Sequence, residues 1–222
     1  MMEITTPAEE TAKPDLITRI LCTLISVVLH PIFIPIYVTA FLLYLHPTAF
    51  IGFSPENKNW TLVIVAINVA VFPLLSVLLL RALKFIDSIL LKTQKDRIIP
   101  YIASGIFFFW TYTVFKQQPA YPLVVSAFLM GLFLSSSGAL LANIYLKISM
   151  HGIAMGNWLG FFLMLMYSDS MRMTWPLFYV IILTGLVGTA RLMLNSHKPR
   201  ELYMGIALGM LSAVIGYYFV AE

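Results

Sequence analysis

The chain has 222 residues, 60% of them hydrophobic and 11% charged, with a mean hydropathy of +0.88. A soluble domain of this length needs a more polar surface, so the composition excludes one and calls for a polytopic membrane protein. The net charge of +4 reflects cations confined to loops, and the single cysteine, Cys22, excludes an intrachain disulfide and a cysteine-rich metal site.

In chain order, residues 1–16 form an acidic, polar stretch that lacks the basic-then-apolar order of a signal peptide and is expected to lie loose in solvent. Residues 17–222 are expected to form one transmembrane domain. Its apolar runs cover about 17–46, 60–83, 98–115, 121–146, 149–168, 175–194 and 203–220. Uninterrupted runs this long carry no strand-like alternation, so the predicted fold is all-α, a bundle of six or seven spans. The first run is too long for one straight span and contains HPIFIP, with Pro31 and Pro35. It is expected to be a kinked helix, or an interfacial helix followed by a crossing. Trp60, Trp158 and Trp175 lie near run ends and are expected as interfacial anchors. His30 and His46 each precede a proline and are expected to be structural or interfacial.

Three polar islands interrupt the apolar chain: LKTQKDRIIPY at 91–101, KISMHGIAMG at 147–156 and TARLMLNSHKPRELYMG at 189–205. Each follows an even-numbered span, so all three emerge on one side of the membrane, and each precedes a helix start. Pro100 and Pro199 suit the first turn of a helix, and Ser149 suits an N-cap. Helix N-termini offer unpaired N–H groups and partial positive charge to anions. With Lys92, Lys95, Arg97 and Arg191, the islands are expected to form a cationic pocket for phosphate. The same cations dominate the loop-charge asymmetry, so that asymmetry does not fix orientation.

His197 and Glu201 are four residues apart, one helical turn, so the carboxylate can fix the imidazole tautomer and leave the other ring nitrogen as a nucleophile. His151 can supply the proton that a departing alkoxide needs. A nucleophilic histidine, an orienting carboxylate, an acid histidine and several arginines describe phosphoester hydrolysis through a phosphohistidine. This chemistry calls for no metal and no cofactor.

At these residues the chain resembles the type 2 phosphatidic acid phosphatases, relatives of the vanadium-dependent haloperoxidases, over about residues 80–220. The family signature has three parts: a lysine followed by Arg and Pro; Pro-Ser-Gly-His; and Ser-Arg, five residues, His, three residues, Asp. Ala190-Arg191, LMLNS, His197, KPR and Glu201 keep both spacings of the third part, with Ala for Ser and Glu for Asp. Ile148-Ser149-Met150-His151 keeps Ser and His of the second part. Arg97 and Pro100 keep the first with a two-residue gap, and Lys92 lies five residues before Arg97.

The resemblance implies a lipid phosphatase of a bacterial inner membrane, with a lipid phosphate or pyrophosphate as substrate, the bilayer as its setting and no nucleic-acid partner. His197 would attack phosphorus, Glu201 would orient it and His151 would protonate the departing lipid alcohol. Arg97, Arg191, Ser149 and Lys92 would hold the phosphate oxygens, with Lys95 as a rival for the lysine role. The alternatives are a non-hydrolysing relative that binds lipid phosphates and a small anion transporter. The transporter would need ionisable groups at mid-span, whereas nearly all lie at span ends.

Overall fold

The computed structural model describes residues 14–89, 91, 93–168 and 173–221. Most of the polar tail expected over 1–16, and Lys92, lie outside the described residues. Among the described residues eight helices follow in order: α1 (Leu16–Val28), α2 (Ile34–Leu45), α3 (Pro55–Ala82), α4 (Gln94–Lys116), α5 (Leu123–Tyr145), α6 (Met150–Ser168), α7 (Thr174–Met193) and α8 (Pro199–Ala221). No strand occurs among the described residues. Helices α3, α4, α5, α7 and α8 are long and apolar enough to cross a membrane. Their outward faces carry large apolar side chains such as Leu79, Trp110, Ile181 and Leu211, as a lipid-facing surface requires.

The first apolar run divides. A turn at residues 29–33 separates α1 from α2, with Pro31 unable to donate within it. At 1.5 Å per residue the two helices are about 20 Å and 18 Å long, short of a hydrocarbon core of about 30 Å. Neither helix alone is long enough to cross, and the run is broken at the turn rather than continuous. Helix α1 lies along α7, whereas α2 runs beside α6 in the same direction. His30 meets His151, Tyr37 meets Trp158, and Phe41 meets Phe162 with ring centroids 4.7 Å apart. Trp158 is therefore buried inside the bundle rather than set at an interface, while Trp60 and Trp175 are exposed.

The centre of the bundle is α5, α6 and α8, flanked by α4 on α5 and by α7 on α6. Helix α6 is apolar nearly all round, as a helix enclosed by others should be. In lipid there is little hydrophobic drive between helices, so close backbone approach must supply the attraction, and small residues permit it. Gly152, Gly156 and Gly160 line the face of α6 that meets Gly205 and Gly209 of α8. A Cβ on Gly152 would lie 2.7 Å from the Leu202 carbonyl oxygen, and one on Gly205 the same distance from that of Ser149. This crossing sets the separation between the start of α6 and the start of α8.

Hydrogen bonds fix the same end of α4. Thr93 caps it by accepting from the Asp96 N–H at 3.1 Å, and the Thr93 N–H donates back to the Asp96 carboxylate at 3.3 Å. The helix therefore starts at Gln94, which places Pro100 inside it rather than in its first turn. Gln94 and Asn143 exchange two 2.8 Å bonds, each side-chain amide donating to the other's backbone carbonyl, and so tie the start of α4 to the end of α5.

Candidate functional site

Two hydrogen bonds to backbone carbonyls draw the polar islands together. Arg97, buried in the first turns of α4, donates from Nε to the Leu91 carbonyl at 2.9 Å and from one terminal nitrogen to the Ile148 carbonyl at 2.8 Å. That guanidinium joins the first island to the second. The Ser149 N–H donates to the Glu201 carbonyl at 3.1 Å, joining the second to the third. The ends of α4, α6 and α8 are thereby fixed to one another.

Ser149 is fully buried, and its hydroxyl caps α6 by accepting from the Gly152 N–H at 3.2 Å. Its hydroxyl hydrogen is not used by that cap. Pro199 opens α8, and the short loop before it carries His197. His197 Nδ1 and a Glu201 carboxylate oxygen are 2.8 Å apart, and the Lys198 N–H donates to the same oxygen at 3.3 Å. A carboxylate can only accept, so Nδ1 carries the proton and Nε2 presents its lone pair. Burial lowers the His197 pKa below its ordinary value; the Glu201 hydrogen bond opposes the shift, while Arg191 and Arg97 add to it. The ring is thus held neutral, the state a nucleophile requires.

His151, one residue into α6, is buried and donates from Nε2 to the Ser26 carbonyl of α1 at 3.0 Å. Its other nitrogen is not committed to that bond. Arg191, His30 and His197 all lie within electrostatic range of this ring, and Arg97 within range of Arg191. Arg97 and Arg191 thus stand near each other with no carboxylate partner among the described residues, where the one ion pair is His197–Glu201. Arg191 Nε is buried without a hydrogen-bond partner. Two such cations repel, and a buried cation without a counter-ion is costly. A small oxyanion satisfies both requirements.

Of the residues singled out in the sequence, Arg97, Ser149, His151, Arg191, His197 and Glu201 occupy this cluster. Lys95 is exposed on α4. His46 behaves as expected of a turn residue, its Nδ1 accepting from the N–H groups of Thr48 and Ala49. His30 does not stand apart. Its ring lies 5.3 Å from that of His151 at 86°, so the α1–α2 turn borders the cluster. No sequence spacing signals this, because the contact joins residues 121 apart (151 − 30). Beside His197 and Glu201 opens a cleft of about 480 Å³, lined also by Lys147, Asn195, Ser196 and Lys198. Comparison with family models, with curated proteins and with solved structures returns no match for the chain.

Proposed function

We propose that the protein is a membrane lipid phosphatase that cleaves a phosphate or pyrophosphate monoester on a lipid through a phosphohistidine. The observation that carries this reading is the meeting of two carboxylate-free guanidiniums, Arg97 and Arg191, with His151 and the His197–Glu201 pair. In this reading α6, 19 residues and about 28 Å long, is a sixth crossing. The cluster then lies at the ends of apolar helices, where a lipid headgroup sits while its tails stay in the bilayer.

Arg97 and Arg191 hold the non-bridging oxygens, with Ser149 as a further donor and Lys92 as the lysine that the resemblance implies. His197 Nε2 forms a bond to phosphorus as the bond from phosphorus to the lipid oxygen breaks, and the electron pair leaves on that oxygen. His151 keeps its bond to the Ser26 carbonyl, takes the proton of the phosphate monoanion on its other nitrogen and gives it to the lipid alkoxide. Water then attacks phosphorus with His151 as the base, the P–N bond breaks, and His197 is regenerated. Glu201 holds the His197 ring and offsets the positive charge that grows on it during attack.

The test is release of inorganic phosphate from phosphatidic acid and from other lipid phosphates by the purified protein. The expected result is turnover that vanadate inhibits and that His197→Ala reduces by at least about a thousandfold, as for loss of a covalent nucleophile. Turnover unchanged in His197→Ala defeats the mechanism. Lipid-phosphate binding without turnover in the wild type would make the protein a binder.

A further inference from the structure

We infer that the turn between α1 and α2 is a fourth segment of the phosphate site, with the Nε2–H of His30 donating to a phosphoryl oxygen. This assignment deepens the phosphate-site reading and rests on it. The Ile32 N–H donates to His30 Nδ1 at 3.3 Å, so in the neutral ring the proton sits on Nε2. Among the described residues no group pairs with that nitrogen. The ring is edge-on to His151, and Arg191 acts on it electrostatically. His30 is exposed, whereas His151 and His197 are buried, so its free N–H stands at the rim of the cluster.

A role as general acid fits this geometry less well. A second proton would have to go on Nδ1, where the Ile32 N–H already points. Partial desolvation of the ring against its neighbours and Arg191 also lower the His30 pKa, which favours the uncharged ring. An uncharged imidazole with its tautomer fixed is a one-way donor. It adds a hydrogen bond to an oxyanion already drawn in by two guanidiniums and adds no further charge to their mutual repulsion.

The last turn of α1, just before the α1–α2 turn, holds His151 through the Ser26 carbonyl. One short segment, outside all three polar islands, therefore both sets the His151 ring and offers a ligand of its own.

The experiment is calorimetric titration of the full-length protein in detergent micelles with orthovanadate, for the wild type, His30→Ala and His30→Gln. Glutamine places an amide N–H near the position of Nε2, so it preserves the donor and abolishes the titration. The expected result is affinity about tenfold weaker in His30→Ala, the size of one hydrogen bond to a charged group, and within about threefold of wild type in His30→Gln. Equal affinity in His30→Ala and wild type overturns the inference, as does an equal loss in both variants. Should the wild type fail to bind orthovanadate, this inference and the phosphate site fall together. Orthovanadate binding without phosphate release defeats only the phosphatase reading, and the His30 series still decides this one.

Discussion

Gly205 stands where the bundle's closest helix crossing meets the candidate site, so replacing it with alanine tests whether that crossing sets the site's geometry. The new Cβ would lie 2.7 Å from the Ser149 carbonyl oxygen and 3.2 Å from the Ile153 nitrogen. An ordinary carbon–oxygen contact is about 3.3 Å, so α6 and α8 must separate by about 0.6 Å. Both obstacles are backbone, and neither can rotate aside. Overpacking of this kind costs about 1–3 kcal/mol. The same separation strains the Ser149 N–H to Glu201 carbonyl bond and moves His151 away from His197. A misplacement of about 1 Å can cost about a hundredfold in rate, so a shift of roughly half that should cost about tenfold.

Gly185→Ala is the control. Gly185 lies inside α7, exposed, with open space where its Cβ would go. There alanine should stabilise by about 0.4–1 kcal/mol through the unfolded state and leave turnover unchanged. The assay is the thermal midpoint in detergent together with phosphate release. If Gly205→Ala matched Gly185→Ala in both, the crossing would not position the site.

Arg97→Lys keeps the charge but cannot donate to the Leu91 and Ile148 carbonyls from two fixed nitrogens. It should lose about 1–3 kcal/mol of stability, read as a lower thermal midpoint, together with most of the turnover. Glu201→Gln should lower turnover less than His197→Ala and move the acid limb of kcat/KM to lower pH. The sign follows from His197. In the proposed mechanism the neutral ring is the competent form, and its pKa is raised by the Glu201 hydrogen bond and charge against the lowering by burial and the two arginines. Without the carboxylate that pKa falls further. An acid limb that moved up, or stayed in place, would show that His197 is not the group titrating.

The helical class and the polar islands were legible in the sequence because hydropathy and residue type act locally. Ser149 and Pro199 take the helix-start positions that their chemistry favours. Pro100 did not, because the capping pair Thr93–Asp96 starts the helix six residues earlier (100 − 94). Prolines in HPIFIP announced a break in the first run, but not that the two short helices would pack against different partners, α1 on α7 and α2 on α3 and α6. That outcome depends on faces of α6 and α7 far away in sequence. The placement of His30 beside the cluster was hidden for the same reason. Its flanking proline describes the local turn, while its neighbour His151 lies across the bundle. Gly205 and Gly209 stand four residues apart in α8, on one face, where small residues permit close packing. The matching row Gly152, Gly156 and Gly160 became meaningful only when the two helices were seen in register.

In the proposed mechanism His197 forms a bond to phosphorus drawn from a lipid. The most direct measurement mixes the protein with a lipid phosphate, quenches with base, which preserves the P–N bond, and locates phosphoryl mass on peptides by mass spectrometry. A phosphoryl group is expected on the peptide carrying His197, absent in His197→Ala and longer-lived in His151→Ala, where water attack lacks its base. Phosphate release with no label at His197, or with a label that survives His197→Ala, would contradict it.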